Sequence, residues 1–204
     1  MGKTVYLSTP LDAAQIRELN LDDTVYLSGT VYVMMFDGQF EKLMAPIRRG
    51  EPSPLELDGG VIYHTGTIYR KDENGNYDFR AIGATTSMKI NKQTPEIIRK
   101  TGVRAIIGKG GMNAEVLDAM KECGCVYLSV VGGCSAIYTP QVVDIVKEYW
   151  PQKSWSKNVL ELKVDRYGPL FVAMDAKGNS VFQQVGNAAE ANRDEIYRKL
   201  RITE

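Results

Sequence analysis

Apolar and polar positions along this chain switch repeatedly between a two-residue and a helical period. Thr4 to Leu7 reads as a short strand. Thr9-Pro10 then opens a helix running through Leu19, with Leu11, Ile16 and Leu19 as its apolar points. Thr24 to Val33, dense in β-branched and aromatic residues, predicts a buried strand. Gly38 to Arg49 predicts a helix, because Phe40, Leu43, Met44 and Ile47 recur at helical spacing. Gly50 to Gly60, with Pro52 and Pro54 among its glycines, is a loop. Val61 to Arg70 and Tyr77 to Ile82 are β-rich, and Asn74-Gly75 between them is a hairpin signal.

The second half alternates in the same way. Thr94-Pro95-Glu96 reads as an N-cap with proline at the first helical position, and Gly102 is the matching stop. Val103 to Ile107 predicts a parallel strand. Residues 108–112 form a tight turn into a helix ending near Gly124, and Val126 to Val131 is a further strand. Thr139-Pro140 predicts a helix to about Tyr149, with Val142, Val143, Ile145 and Val146 on its inner face. Val159 to Val164 and Leu170 to Met174 predict strands. The turn at Asp175-Ala-Lys-Gly-Asn179 leads into a last strand, Ser180 to Val185, and a final helix from Ala188 to Leu200. Strand–helix–strand units imply a parallel sheet, and the flanking hairpins imply a second, mixed or antiparallel one. The expectation is one α/β domain over residues 1–204, sheet on sheet with helices outside.

Composition narrows the function. The chain has 204 residues, 44% apolar and 25% charged, enough for one ordinary core. Lys plus Arg and Asp plus Glu are each 25, so the formal net charge is zero. A sequence-independent nucleic-acid binder or a polybasic membrane-surface protein carries a basic excess, and this chain has none. Neutrality also does little to keep copies apart, which favours a homo-oligomer or a larger assembly. Cys123, Cys125 and Cys134 are too few and oddly numbered for a disulfide framework, and His64 is the only histidine, so no metal site is expected. Cysteine usage fits a reducing, cytoplasmic compartment. No stretch approaches the roughly 20 apolar residues of a membrane span.

Three glycine-containing turns stand out at the ends of predicted strands, where ligands of open α/β sheets gather. Gly83-Ala-Thr-Thr-Ser-Met-Lys89 offers three hydroxyls and a cation to a carboxylate or phosphate; its plainer reading is a Ser/Thr-rich turn capping the next helix. Gly108-Lys109-Gly110-Gly111 lets backbone N–H groups approach an anion at a helix N-terminus, with Lys109 as a point charge; a strand–helix turn with a solvated lysine is the alternative. It has neither the Walker A spacing nor a dinucleotide fingerprint. Gly132-Gly133-Cys134-Ser135 is the third, with Cys134 read as a small packed residue. His64 reads as packed or turn-bonding, and Trp150 with Trp155 as a satellite cluster.

Together, Gly83-Ala-Thr-Thr-Ser-Met-Lys89, Ile107-Gly-Lys-Gly-Gly-Met112 and Tyr167-Gly-Pro-Leu170 resemble one family, the β subunit or C-terminal domain of the iron–sulfur hydro-lyases: class I fumarases and L(+)-tartrate dehydratases. Val25-Tyr-Leu-Ser-Gly-Thr30, Tyr63-His-Thr-Gly66 and Asp175-Ala-Lys-Gly-Asn179 match in order and spacing, so the resemblance covers most of the chain. It implies a swivelling β/β/α three-layer domain, with a parallel or mixed sheet packed on a second sheet. It implies an α subunit as partner, carrying a 4Fe–4S cluster on its own cysteines, while this chain alone binds none. It implies a small carboxylate substrate, with Thr85, Thr86 and Lys109 in catalytic roles. Ser87, Lys89, Gly108 and Gly110 are the implied substrate-binding positions. Lys89 stands where the family has arginine. Residues 34–42 replace the family's Arg-Asp-x-x-His pattern, keeping only Asp37. Lysine keeps the charge and loses the bidentate fork, so an altered substrate range is expected. The competing reading is a non-catalytic paralogue that serves as a binding or regulatory module.

Overall fold

The computed structural model describes residues 2–151 and 158–202. Among the described residues nine strands follow in order: β1 Thr4–Ser8, β2 Thr24–Val33, β3 Val61–Tyr63, β4 Thr65–Lys71, β5 Tyr77–Ala84, β6 Ala105–Gly108, β7 Val126–Ser129, β8 Val142–Tyr149 and β9 Val159–Met174. The helices are α1 Ala13–Arg17, α2 Asp37–Arg48, α3 Thr94–Thr101, α4 Ala114–Cys123, α5 Ser135–Tyr138 and α6 Val181–Leu200.

Seven strands form one mixed sheet in the order β1-β2-β3-β6-β7-β9-β8. The run β1-β2-β3-β6-β7 is parallel throughout. β9 is antiparallel to β7, β8 and β2, and its pairing with β2 closes the ladder β2-β3-β6-β7-β9 on itself. The expected second, antiparallel sheet is present only as the two-stranded β4–β5 hairpin, and the other strands share this one mixed sheet. The 16-residue β9 is long enough, and bulged enough, to pair along both of its edges. Only the β4–β5 hairpin stands apart as a two-stranded sheet.

Side-chain alternation divides the core. Val61, Tyr63, Ala105, Ile107, Val126 and Leu128 point inside the closed ladder, with Val25, Leu27, Leu162 and Leu170. Their neighbours Ile62, Ile106 and Tyr127 point outward against Phe40 and Leu43 of α2, Ile97 and Ile98 of α3, and Val116 and Met120 of α4. Strands buried on both faces read as continuous apolar runs, which is why β3, β6 and β7 were visible in the sequence. Gly102 and Gly124 end α3 and α4 in the left-handed conformation, as expected of C-terminal glycines.

Several expectations are corrected. Residues 142–149 are a strand, not a helix, preceded by a single 3-10 turn at Thr139–Gln141. Ile145 is buried, whereas Val143 and Val146 are exposed, so no four-residue inner face exists. Residues 159–174 are one continuous strand. The expected last strand is the first turn of α6, which starts at Val181 under an N-cap made by Ser180. The first helix is confined to Ala13–Arg17, with Asp12 accepting from the amides of Ala14 and Gln15. Thr94 is the first helical residue rather than the cap, and its hydroxyl donates to the Ile90 carbonyl at 2.7 Å. Trp150 packs on the helix-side core, its ring 6.1 Å from that of Tyr149; Trp155 lies outside the described residues. Among the described residues no helix is long and apolar enough to cross a membrane.

Candidate active site

The carboxyl ends of β3, β6 and β7 lie side by side, and the three glycine-containing turns meet there. The chain leaves β5 at Ala84, and the Thr85 amide donates to the carbonyl of His64, 2.9 Å away. Thr86 then pairs with Lys109 in a parallel bridge. The Ser87 amide donates to the Lys109 carbonyl at 3.1 Å, and the Lys109 amide reaches the Thr85 carbonyl at 3.4 Å. Two turns more than twenty residues apart are thus zipped together by backbone alone. The third turn joins them through the Val130 amide, which donates to the Gly108 carbonyl at 3.0 Å. A Cβ built on Gly132 would lie 3.5 Å from Cδ of Lys109, so the lysine stem runs across that turn.

The candidate residues divide by exposure. Thr85, Thr86 and Lys109 are half-buried, and Lys89 and Gly110 are exposed; these form the rim. Gly110 takes a φ of +80°, a conformation that glycine adopts at no steric cost. Gly108 and Ser87 are buried beneath the rim. The Ser87 hydroxyl lies 3.0 Å from Nδ1 of His64 and 2.9 Å from the Tyr127 hydroxyl. Ser87 thus backs the rim rather than lining it. Burial pushes the His64 imidazole down to about 3, so the ring is neutral at ordinary pH; Phe40 meets it edge-on at 6.1 Å. Burial pushes the Tyr127 phenol up.

The helix after the second turn starts where the turn ends, as expected. α4 begins at Ala114, and Asn113 caps it by accepting from the Val116 amide at 3.2 Å. Gly111 (φ +70°) lies under the ring of Phe182 from α6. Sequence reasoning passed over Tyr127 and Phe182. Tyr127 sits in an apolar strand with nothing to mark its hydroxyl, and Phe182 was assigned to a strand.

The three cysteines do not assemble. Cys125 is buried with its thiol pushed up by desolvation, Cys123 is half-buried at the end of α4, and Cys134 packs against the inner core. Among the described residues no group of three His, Cys, Asp or Glu side chains could hold a metal. These thiols do not fit an iron–sulfur cluster. What the rim offers is two hydroxyls, backbone amides at glycines and the Lys109 ammonium, a donor-rich surface suited to a small carboxylate.

Residues 1–185 match the model of the family described as Fumarase C-terminus. A protein of Methanocaldococcus jannaschii named "Putative L(+)-tartrate dehydratase subunit beta" is 34% identical over 196 residues, 96% of each chain. The "L(+)-tartrate dehydratase subunit beta" of Shigella sonnei is 30% identical, covering 95% of this chain and 94% of its own. "Putative fumarate hydratase class I" of Geobacillus stearothermophilus is 34% identical over 90% of this chain but only 34% of its own length.

Proposed function

The chain belongs to the Fumarase C-terminus family, and on that premise we propose that it is the substrate-binding β subunit of a two-subunit hydro-lyase. The reaction is addition or removal of water beside a carboxylate, of the tartrate dehydratase or fumarase type, and it requires an α subunit. The observation that carries this reading is the backbone pairing of Thr86 with Lys109, which joins the two motif turns at one end of the sheet.

Dehydration removes a proton next to a carboxylate and leaves extra negative charge on that group. Lys109 holds the carboxylate where this charge develops, and the Gly110 turn leaves backbone donors within reach. A threonine hydroxyl is a weak base, and a neighbouring cation favours its ionised form. Thr85 and Thr86 are accordingly the proton-transfer candidates. Lys89 grips the far end of the substrate as a point charge, without the fork of an arginine, which shifts the substrate range away from a tightly clamped dicarboxylate. The cluster that the family implies belongs to the α subunit, and the domain swivels against that subunit. An α2β2 assembly in the reducing cytoplasm fits this reading.

The test is anaerobic co-expression with the candidate α subunit and assay on L(+)-tartrate, malate and other hydroxy acids. Lys109→Met and Thr86→Ala each remove one charge-assisted or catalytic contact. A loss of about 1.5–3 kcal/mol, roughly 10- to 150-fold in kcat/KM, is expected of each. No turnover across the panel with the cluster intact sinks the proposal. Full activity in both variants refutes the assigned roles.

A further inference from the structure

We propose that Ser87 is a positioning residue, its hydroxyl locked between His64 and Tyr127 so as to set the register of Thr85 and Thr86 against Lys109. The inference rests on the hydro-lyase reading and goes beneath it, to side chains that touch no substrate.

The three groups come from separate parts of the chain. His64 follows β3, Ser87 opens the 3-10 turn Ser87–Ile90, and Tyr127 is in β7. All are sealed: Ser87 and Tyr127 are 0% exposed and His64 is 1% exposed. Each link is within hydrogen-bond distance, 3.0 Å to His64 Nδ1 and 2.9 Å to the Tyr127 hydroxyl. A hydroxyl can donate to one neighbour and accept from another, so the Ser87 oxygen can make both links at once. Desolvation keeps the imidazole neutral and so able to accept.

Gly108 records how little room is left. A Cβ there would stand 2.0 Å from the Ser87 hydroxyl oxygen and 2.8 Å from that of Tyr127. Its backbone lies outside the left-handed region, so conformation does not demand glycine. The two hydroxyls do. The residue before Lys109 is thus shaped around Ser87, while the Ser87 amide holds the Lys109 carbonyl and the Thr85 amide holds the His64 carbonyl. Loss of the hydroxyl loosens the floor under both turns, which backbone bonds alone then hold in register. Misplacement of reacting groups by an ångström costs on the order of 100-fold.

The experiment uses the co-purified α–β complex on L(+)-tartrate. Ser87→Ala is expected to lower kcat by roughly 10- to 100-fold with KM changed less than about threefold, since the carboxylate grip stays. The combination Ser87→Ala, Tyr127→Phe and Gly108→Ala sets a methyl where the hydroxyl was. It is expected to return the melting temperature towards the parent's while kcat stays low. Parent-like kcat in Ser87→Ala overturns the proposal, and so does recovery of kcat in the methyl variant, which would mean packing alone. An inactive parent complex defeats the hydro-lyase reading instead. Amide hydrogen exchange then decides the positioning role: faster exchange at the Ser87 and Lys109 amides in Ser87→Ala than in the parent supports it, and equal exchange overturns it.

Discussion

Gly111→Ala tests the architecture beneath the rim. The added methyl would lie 2.3 Å from Cδ2 of Phe182 and 2.6 Å from Cγ and Cε2, deep inside van der Waals contact. The residue also sits at φ +70°, which costs a side-chain-bearing residue about 1–2 kcal/mol. Forcing a methyl against a ring that must move adds about 1–3 kcal/mol. The stiffer unfolded chain returns up to about 1 kcal/mol. The net is destabilisation of about 1–5 kcal/mol, or on the order of 2–20 °C in melting temperature for a chain of this length. Phe182→Ala is the control. It loses the edge contact with Tyr127 at 6.2 Å, a pair worth about 0.5–1.5 kcal/mol, and removes the obstacle. In that background Gly111→Ala retains only its backbone cost, so a double-mutant cycle by thermal or urea unfolding gives a coupling of about 1–3 kcal/mol. Strict additivity would refute the docking of the first turn of α6 on the glycine turn.

Three other outcomes follow from single environments. His64, with its pKa depressed from 6.5 to about 3, is neutral when folded and protonates on unfolding, so stability falls as pH drops from about 6.5 towards 3; His64→Gln flattens this acid limb, whose slope is at most about 1.4 kcal/mol per pH unit, in unfolding measured across that window. Val146→Lys changes stability by less than about 0.5 kcal/mol, because the residue faces solvent, whereas Ile145→Lys buries a charge and abolishes cooperative unfolding; a helix here would make both severe. Asp175→Ala removes a buried carboxylate that accepts from the Lys177 and Asn179 amides at 3.0 and 2.9 Å, and costs about 1–3 kcal/mol in chemical unfolding.

Local rules carried most of the fold. β2 has the limits its β-branched run predicts, and the glycine stops of α3 and α4 fall where expected. The failures share a cause. Val142, Val143, Ile145 and Val146 satisfy helical and extended patterns alike, and the decision lies with β9, which pairs antiparallel with that segment. The Asp175 turn repeats the chemistry of the Asp72 turn: each Asp accepts from the amide of an Asn four residues on, and each has a left-handed glycine before that Asn. The first turn closes the β4–β5 hairpin. The second closes an antiparallel pairing only one bridge long, Met174 with Ser180, before the Ser180 hydroxyl caps α6. The same local signal therefore fits a strand or a helix, and packing of Phe182 beside Tyr127 decides it. Of the site, the two motif turns were legible as donors. Their contact was not, because it depends on the pairing of β3 with β6.

In the proposed complex, the division of labour with a second subunit has an electrostatic reason. Two unit charges 4 Å apart attract by about 1 kcal/mol in water and about 4 kcal/mol in the partly desolvated setting of a protein cleft. Lys109 and the two threonines are only half-buried here, and Lys89 is exposed, so solvent would screen the grip proposed for them on a carboxylate. Beneath them the chain has already fixed what must not move: a neutral imidazole, two sealed hydroxyls and a glycine with room for nothing more. A rigid floor under a wet rim is an incomplete site. In the proposed complex the α subunit covers the rim and excludes water, and the same lysine then acts at a lower effective dielectric without any residue of this chain changing place. Net charge is no guide to such a site. A chain neutral overall can favour a small anion, because the placement of one ammonium under cover outweighs the sum of the rest.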